Sequence, residues 1–191
     1  MPSVENEGEA MKFTVRIIKE EDLELIMNWR MSPEVTTYMN TNPMLTLEGQ
    51  KKWFESLRGK DSVKYWMVEV DGNPAGVINL ADIDYEKKNT SWAYYIGEMS
   101  LRSMDLAISL ELSLYEYVFE IMGLEEIHGE VFSINKGVVK LHKLCGCRVE
   151  KIVEGEVEKE GVKYDITHLT LTRNEWEKQK GNYHYQKIDF E

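Results

Sequence analysis

Cysteine is scarce. The 191 residues hold two, Cys145 and Cys147, too few for a disulfide framework, as expected of a protein of the reducing cytoplasm. Their C-x-C spacing has only His142 nearby as a further ligand, so no metal site is expected and packing as small apolar side chains is the simpler role. Long apolar runs are also missing. Nothing approaches the roughly 20 apolar residues that span a bilayer, so no membrane association is expected. The opening MPSVENEGEA is acidic and polar rather than apolar, which excludes a secretion signal and predicts a loose leader over residues 1–10. Basic blocks are absent as well. With 23 Lys and Arg against 34 Asp and Glu, the formal charge is −11, and nucleic acid is not an expected partner. An anionic ligand would have to be held by a helix N-terminus or by single arginines. No internal repeat or low-complexity linker divides the chain.

What is present is a regular alternation of elements. Phe13–Ile18 alternates as a strand, and the acidic Glu20-Glu21-Asp22 opens a helix carrying Leu23, Ile26, Met27 and Trp29. Ser32-Pro33 breaks it. A second helix follows Thr46, a reasonable N-cap. Lys64–Val70 and Ala75–Asp82 read as a hairpin across Asp71-Gly72-Asn73, and Asn89–Ile96 as a further strand. Ser103–Met122 reads as a long helix with Leu106, Leu110, Leu114, Tyr117 and Ile121 on one stripe, stopped by Gly123. Ile127–Phe132 is a strand and Gly137–Leu144 a helix. Arg148–Val157 and Lys163–Thr172 are strands joined at Lys159-Glu160-Gly161, and Glu175–Lys180 is a short helix. The order β-α-α-β-β-β-α-β-α-β-β predicts an α/β fold with a mixed, twisted sheet and helices on both faces. It occupies one domain over residues 11–180, with 181–191 as a tail. The tail aromatics Tyr183, Tyr185 and Phe190 are candidates for capping a neighbour or a homodimer contact.

This order, together with two local sequences, resembles the GNAT acyltransferases from about Phe13 to Trp176. One is the hairpin YWMVEVDGNPAGVINLADID. The other is EEIHGEVFSINKGVVKLHKLCGCRVE, in which Asn135, Leu141, His142, Leu144 and Gly146 match the family signature and Cys147 stands where it usually has Phe. The segments NWRMSPEVTTYM, WFESL and INLADID also resemble the branch that acetylates the 4-amino group of nucleotide-linked 4-amino-4,6-dideoxy sugars, as in pseudaminic acid biosynthesis. The resemblance implies acetyl-CoA as co-substrate and a primary amine as acceptor, here a UDP-linked amino sugar. Related branches imply a protein N-terminus or a small amine instead. A degenerate domain that senses acyl-CoA without turnover is the reading of another class.

Transfer from a thioester to an amine needs a fixed thioester, a neutral amine, a stabilised oxyanion and a proton for the departing thiolate. The resemblance places the pantetheine arm along Tyr94-Tyr95-Ile96, with Gly97, Asn135 and Val138 beside it. It places the pyrophosphate at Arg102-Ser103-Met104-Asp105-Leu106-Ala107. There Asp105 stands where the family has its first glycine: it either points away from the phosphates or weakens their binding. His142 replaces the family's proton-donating Tyr, and an imidazole titrates close to neutral pH. Asn135 also suits an N-cap. The base is open among Asp82, Asp84, Glu130 and water. Arg30 is a candidate for an acceptor phosphate, with Tyr38, Met39 and Asn79 about the acceptor.

Overall fold

The computed structural model describes residues 10–190; the expected leader, apart from Ala10, lies outside them. A single seven-stranded sheet runs in the order β1-β2-β3-β4-β5-β7-β6. Its strands are β1 (Phe13–Ile17), β2 (Lys64–Val70), β3 (Asn73–Asp84), β4 (Asn89–Ile96), β5 (Glu126–Phe132), β6 (Arg148–Lys159) and β7 (Val162–Thr172). The helices are α1 (Leu23–Met31), α2 (Pro33–Thr36), α3 (Leu47–Leu57), α4 (Met104–Glu116), α5 (Lys136–Leu144) and α6 (Arg173–Gln179). The α/β mixed-sheet expectation is met, and every pairing but one is antiparallel.

The exception positions everything that follows. β4 and β5 run parallel and pair only over Asn89–Ser91 with Glu126–His128. Beyond that register they part, so Trp92–Ile96 of β4 and Gly129–Phe132 of β5 face each other across a gap.

Sequence punctuation explains the boundaries. Pro33 does break the first helix, but its fixed φ then suits the first position of the single-turn α2. Asp71 and Gly72 both take positive φ at the β2–β3 hairpin, the demand of a tight turn. Thr46 caps α3 by accepting from the Gly49 N–H at 3.1 Å. α4 is shorter than its pattern suggests. After Glu116 the chain passes into a wider π turn over Tyr117–Ile121, and this re-phasing leaves Ile121 74% exposed although it falls on the apolar stripe.

Two apolar layers sandwich the sheet. The larger carries α4, α5 and α6 with Trp66, Leu106, Leu110, Leu114, Tyr115 and Trp176. The smaller carries α1 and α3, with Ile26, Trp29, Met67 and Val77 at its centre. Residues 181–190, expected as a tail, lie against the larger layer. Ile188 is buried and donates its N–H to Ser113 Oγ at 2.9 Å. Phe190 meets Trp66 edge-on at 5.1 Å, and Gln186 accepts from the Phe13 N–H. The aromatics expected to cap a neighbour therefore pack within the chain: Phe190 on Trp66 and Tyr117, Tyr183 stacked on Trp176, and Tyr185 donating to Glu116. No helix among the described residues is long and apolar enough to cross a membrane.

Candidate active site

Two cavities meet on β4. The first, about 650 Å³, fills the gap between the parted strands. Its walls come from Trp92–Ile96 of β4, Gly129–Val131 of β5, Arg102–Met104 and Ala107 at the start of α4, and Asn135, Val138, Leu141 and His142 of α5. The second, about 370 Å³, lies on the α1–α3 side and is lined by Arg30, Met39, Gln50, Trp53, Tyr65 and Asn79. Ala93, Tyr94, Tyr95 and Met39 border both. An elongated thioester in the first cavity and an amine in the second can therefore approach each other along β4.

The start of α4 is shaped for an anion. Ser103 Oγ takes the Leu106 N–H at 3.1 Å, and its carbonyl takes the Ala107 N–H. Among the described residues the N–H groups of Met104 and Asp105 have no partner, as at any helix start that waits for an acceptor. Arg102 does not reach out. Its guanidinium donates to the Ile96 carbonyl at 2.9 and 2.7 Å and to the Glu34 carbonyl, fastening this loop to the end of β4. Asp105 is exposed and lines a different cavity beside His184 and Gln186, so its carboxylate is aimed away from the gap.

His142 sits in the opposite wall, 5% exposed. Its Nδ1 lies 2.8 Å from Glu111 Oε1, and the Trp92 ring packs across it at 4.7 Å. Glu111 is wholly buried in the middle of α4. Tyr94 Oη donates to it at 3.0 Å and Tyr115 Oη at 3.1 Å, and Tyr115 Oη also lies 3.3 Å from Cys147 Sγ. Burial pushes the phenols of Tyr94 and Tyr115 well up, with the Glu111 charge adding to it. Burial likewise raises the Cys145 thiol, and takes that of Cys147 up to about 12. The phenols and thiols around this carboxylate are thus neutral at neutral pH. Asn135 Oδ1 caps α5 by accepting from the Val138 N–H and borders the first cavity as well.

The second cavity differs in kind. Arg30 Nη1 and Tyr95 Oη are buried and have no hydrogen-bond partner among the described residues. Burial raises the Tyr95 phenol, with Arg30 pulling the other way.

The structure thus brings together, around the first cavity, His142, Glu130, Tyr95, Ile96, Arg102, Ser103, Met104, Ala107, Asn135, Val138 and Tyr38. Arg30, Met39 and Asn79 line the second. It leaves five expected residues outside, Asp84 among them at the end of β3. Asp82 is exposed on a bulge of β3 at φ 50° and lines neither cavity. Leu106 is core. Gly97 is backed by the Trp29 ring, where a Cβ would come within 2.2 Å. Asp105 faces elsewhere. Glu130 borders the gap but is largely exposed, its carboxylate 3.6 Å from His168. Glu111 was not among the expected residues: Asp105 and Glu116 stand on the same helix, and only burial sets Glu111 apart from them. Among the described residues no group of three or more His, Cys, Asp or Glu side chains is placed to hold a metal.

Comparison with known proteins agrees with this geometry. Residues 12–148 match the family model of the acetyltransferase (GNAT) domain. The chain is 25% identical over 170 residues to an SPbeta prophage-derived uncharacterized N-acetyltransferase, YokL, of Bacillus subtilis, covering 88% of this chain and 94% of that one. It is 25% identical over 126 residues to the acetyltransferase PseH of Campylobacter jejuni, covering 66% of this chain and 76% of that one. Among solved structures, the spermidine N-acetyltransferase of Vibrio cholerae in complex with CoA and spermine superposes with a TM-score of 0.81 at 20% identity, over 86% of this chain and 97% of that one. A sheet parted at its one parallel pair, a helix start with free N–H groups beside the gap, and a family match across both make this chain an N-acetyltransferase of the GNAT family, whose acyl donor is acetyl-CoA.

Proposed function

We propose that the chain transfers acetyl from acetyl-CoA to the 4-amino group of a UDP-linked amino sugar. The observation that carries this acceptor is Arg30. Its Nη1 is buried without a partner in the second cavity, and it is the one formal charge among that cavity's lining residues. A buried guanidinium nitrogen left unpaired is costly, and a ligand oxygen relieves it. A phosphate or uracil carbonyl supplies such an oxygen, and Tyr95 Oη and Asn79 supply further hydrogen bonds. A polyamine would instead bring positive charge against Arg30. The similarity to PseH and the segments NWRMSPEVTTYM and INLADID support the same acceptor.

In this reading the pantetheine arm lies along Tyr95 and Ile96, with Asn135 and Val138 opposite. The N–H groups at Met104 and Asp105 meet the pyrophosphate, and Ser103 and Arg102 hold that loop in shape. Tyr38 and Met39 close over the point where the cavities meet. The amine attacks the thioester carbon, the C–S bond breaks, and His142 gives the sulfur its proton. The proton lost by the amine goes to water or to Glu130.

Thermal shift with UDP-4-amino-4,6-dideoxy-N-acetylhexosamine, spermidine and a short peptide separates the acceptors. The UDP sugar is expected to raise the melting temperature and to drive thiol release from acetyl-CoA. Efficient acetylation of spermidine with no response to the sugar sinks the assignment.

A further inference from the structure

Glu111 has no place in the chemistry described so far, yet it touches the residue that does the last step. It is the single charged side chain on the buried length of α4, flanked by Leu110 and Leu112, both 0% exposed. The neighbouring layers could accept an apolar residue there at lower cost. We propose that Glu111 is a positioning residue for proton donation: its carboxylate fixes His142 in the Nδ1–H form, so that Nε2 is the ring nitrogen exchanging a proton with the leaving sulfur. This rests on His142 as the proton donor.

Counting protons carries the assignment. Tyr94 Oη and Tyr115 Oη each have one proton, and each lies in reach of a Glu111 oxygen at 3.0 and 3.1 Å. A carboxylate is a stronger acceptor than a thiol. Tyr115 therefore donates to Glu111, and Cys147 S–H donates to Tyr115 Oη across 3.3 Å. As a carboxylate Glu111 has no proton of its own to donate, so with both phenols donating to it the 2.8 Å contact to His142 Nδ1 requires a proton on that nitrogen. Among the described residues Nε2 has no hydrogen-bond partner and is not one of the buried unpartnered atoms, so it opens on the cavity that His142 lines. Trp92 at 4.7 Å and Tyr94 at 6.5 Å flank the ring and limit its rotation. When the C–S bond breaks, the proton on Nε2 passes to sulfur. The ring is left neutral with Nδ1–H still on Glu111, ready to take a new proton at Nε2 from water. A carboxylate that orients a histidine by its Nδ1–H serves other catalytic histidines in the same way.

The test uses the full chain, with imidazole nitrogen NMR and thiol release from acetyl-CoA in the presence of the UDP-4-amino sugar. In wild type the neutral His142 ring should be protonated at Nδ1. In Glu111→Gln the side-chain amide can donate to Nδ1, the tautomer should switch to Nε2–H, and turnover should fall about 10²-fold with acetyl-CoA affinity unchanged. In a His142→Ala background the same substitution should change turnover no further. A wild-type Nε2–H tautomer, full activity in Glu111→Gln, or an equal loss in the His142→Ala background overturns the proposal. The wild-type spectrum decides by itself if Glu111→Gln does not fold. Full activity of His142→Ala overturns the donor on which the proposal rests. No turnover of the UDP sugar by wild type bears on the acceptor instead, because the spectrum needs no acceptor.

Discussion

Tyr94 and Tyr95 are neighbours on β4, but strand alternation sends their hydroxyls to opposite faces of the sheet and into unlike surroundings. On one face Tyr94 joins Tyr115 and His142 around the buried negative charge of Glu111, which is paired on both oxygens. On the other, Tyr95 lies near the half-buried positive charge of Arg30, and among the described residues neither Tyr95 Oη nor Arg30 Nη1 has a partner. A charge that the fold itself satisfies belongs to the fixed machinery. A charge that the fold leaves wanting marks where something from outside must complete it. In the proposed reaction the two faces divide the labour: one holds the proton donor still, the other waits for the acceptor.

The largest effect expected on this division is at the donor. His142→Ala should lower turnover by a factor of about 10² to 10⁴, the usual worth of a general acid, with acetyl-CoA binding nearly kept and a stability loss of about 1–3 kcal/mol from the lost Glu111 contact. Stopped assays of thiol release check it, and an unchanged rate removes His142 from the chemistry. Next is the satisfied charge. Glu111→Ala takes away the shared acceptor of His142, Tyr94 and Tyr115 and leaves three buried donors unpaired, at about 1–3 kcal/mol each. Relief of the buried charge offsets part of this, so a net loss of about 3 kcal/mol in urea unfolding is expected. A change under about 0.5 kcal/mol would mean that the carboxylate is not the hub of the cluster.

The unsatisfied charge should behave in the opposite way. Arg30→Gln removes a half-buried guanidinium that has an unpaired nitrogen, so stability should hold or rise slightly, measured by thermal melting. The KM for the UDP sugar should rise by roughly ten-fold or more with kcat little changed, since a charge-assisted hydrogen bond is worth about 1.5–3 kcal/mol. A marked loss of stability with an unaltered KM would make Arg30 part of the machinery and erase the contrast between the two faces.

Much of this was legible in the sequence, for identifiable reasons. Strand alternation at β2 and β3, the positive-φ turn at Asp71-Gly72 and the Asn135–Gly146 signature are local, and local patterns survive into the fold. Four features were not legible there. The exposure of Ile121 follows from the π turn after Glu116, which shifts the helical phase without any proline or glycine to announce it. The packing of the last ten residues depends on Trp66 and Ser113, more than 70 positions upstream. Asp82 looked like a base because it ends a strand that faces the site in order, but a bulge between Ala81 and Asp84 turns it outward. Glu111 was overlooked because a single acid on a helix reads as a solvated face unless the burial of its neighbours is known.

The smallest effect is expected at Asp105, where family resemblance had suggested the largest departure. A carboxylate beside a pyrophosphate would weaken binding by at least about 1 kcal/mol. In the structure this carboxylate is exposed and lines a cavity with His184 and Gln186, while Ser103 and Met104 line the gap. Only backbone is then offered to phosphate, and an outward charge is screened over a Debye length of about 8 Å at physiological salt. Calorimetric titration of acetyl-CoA should show binding by the wild type and a change of less than about three-fold in Asp105→Gly. Glycine would lose the favourable charge at the helix start and add backbone freedom to the first turn, so a modest fall in stability should accompany it. A gain in affinity of ten-fold or more would show that the side chain swings back onto the phosphates, and the start of α4 would then be a site the fold leaves wanting in the same sense as Arg30.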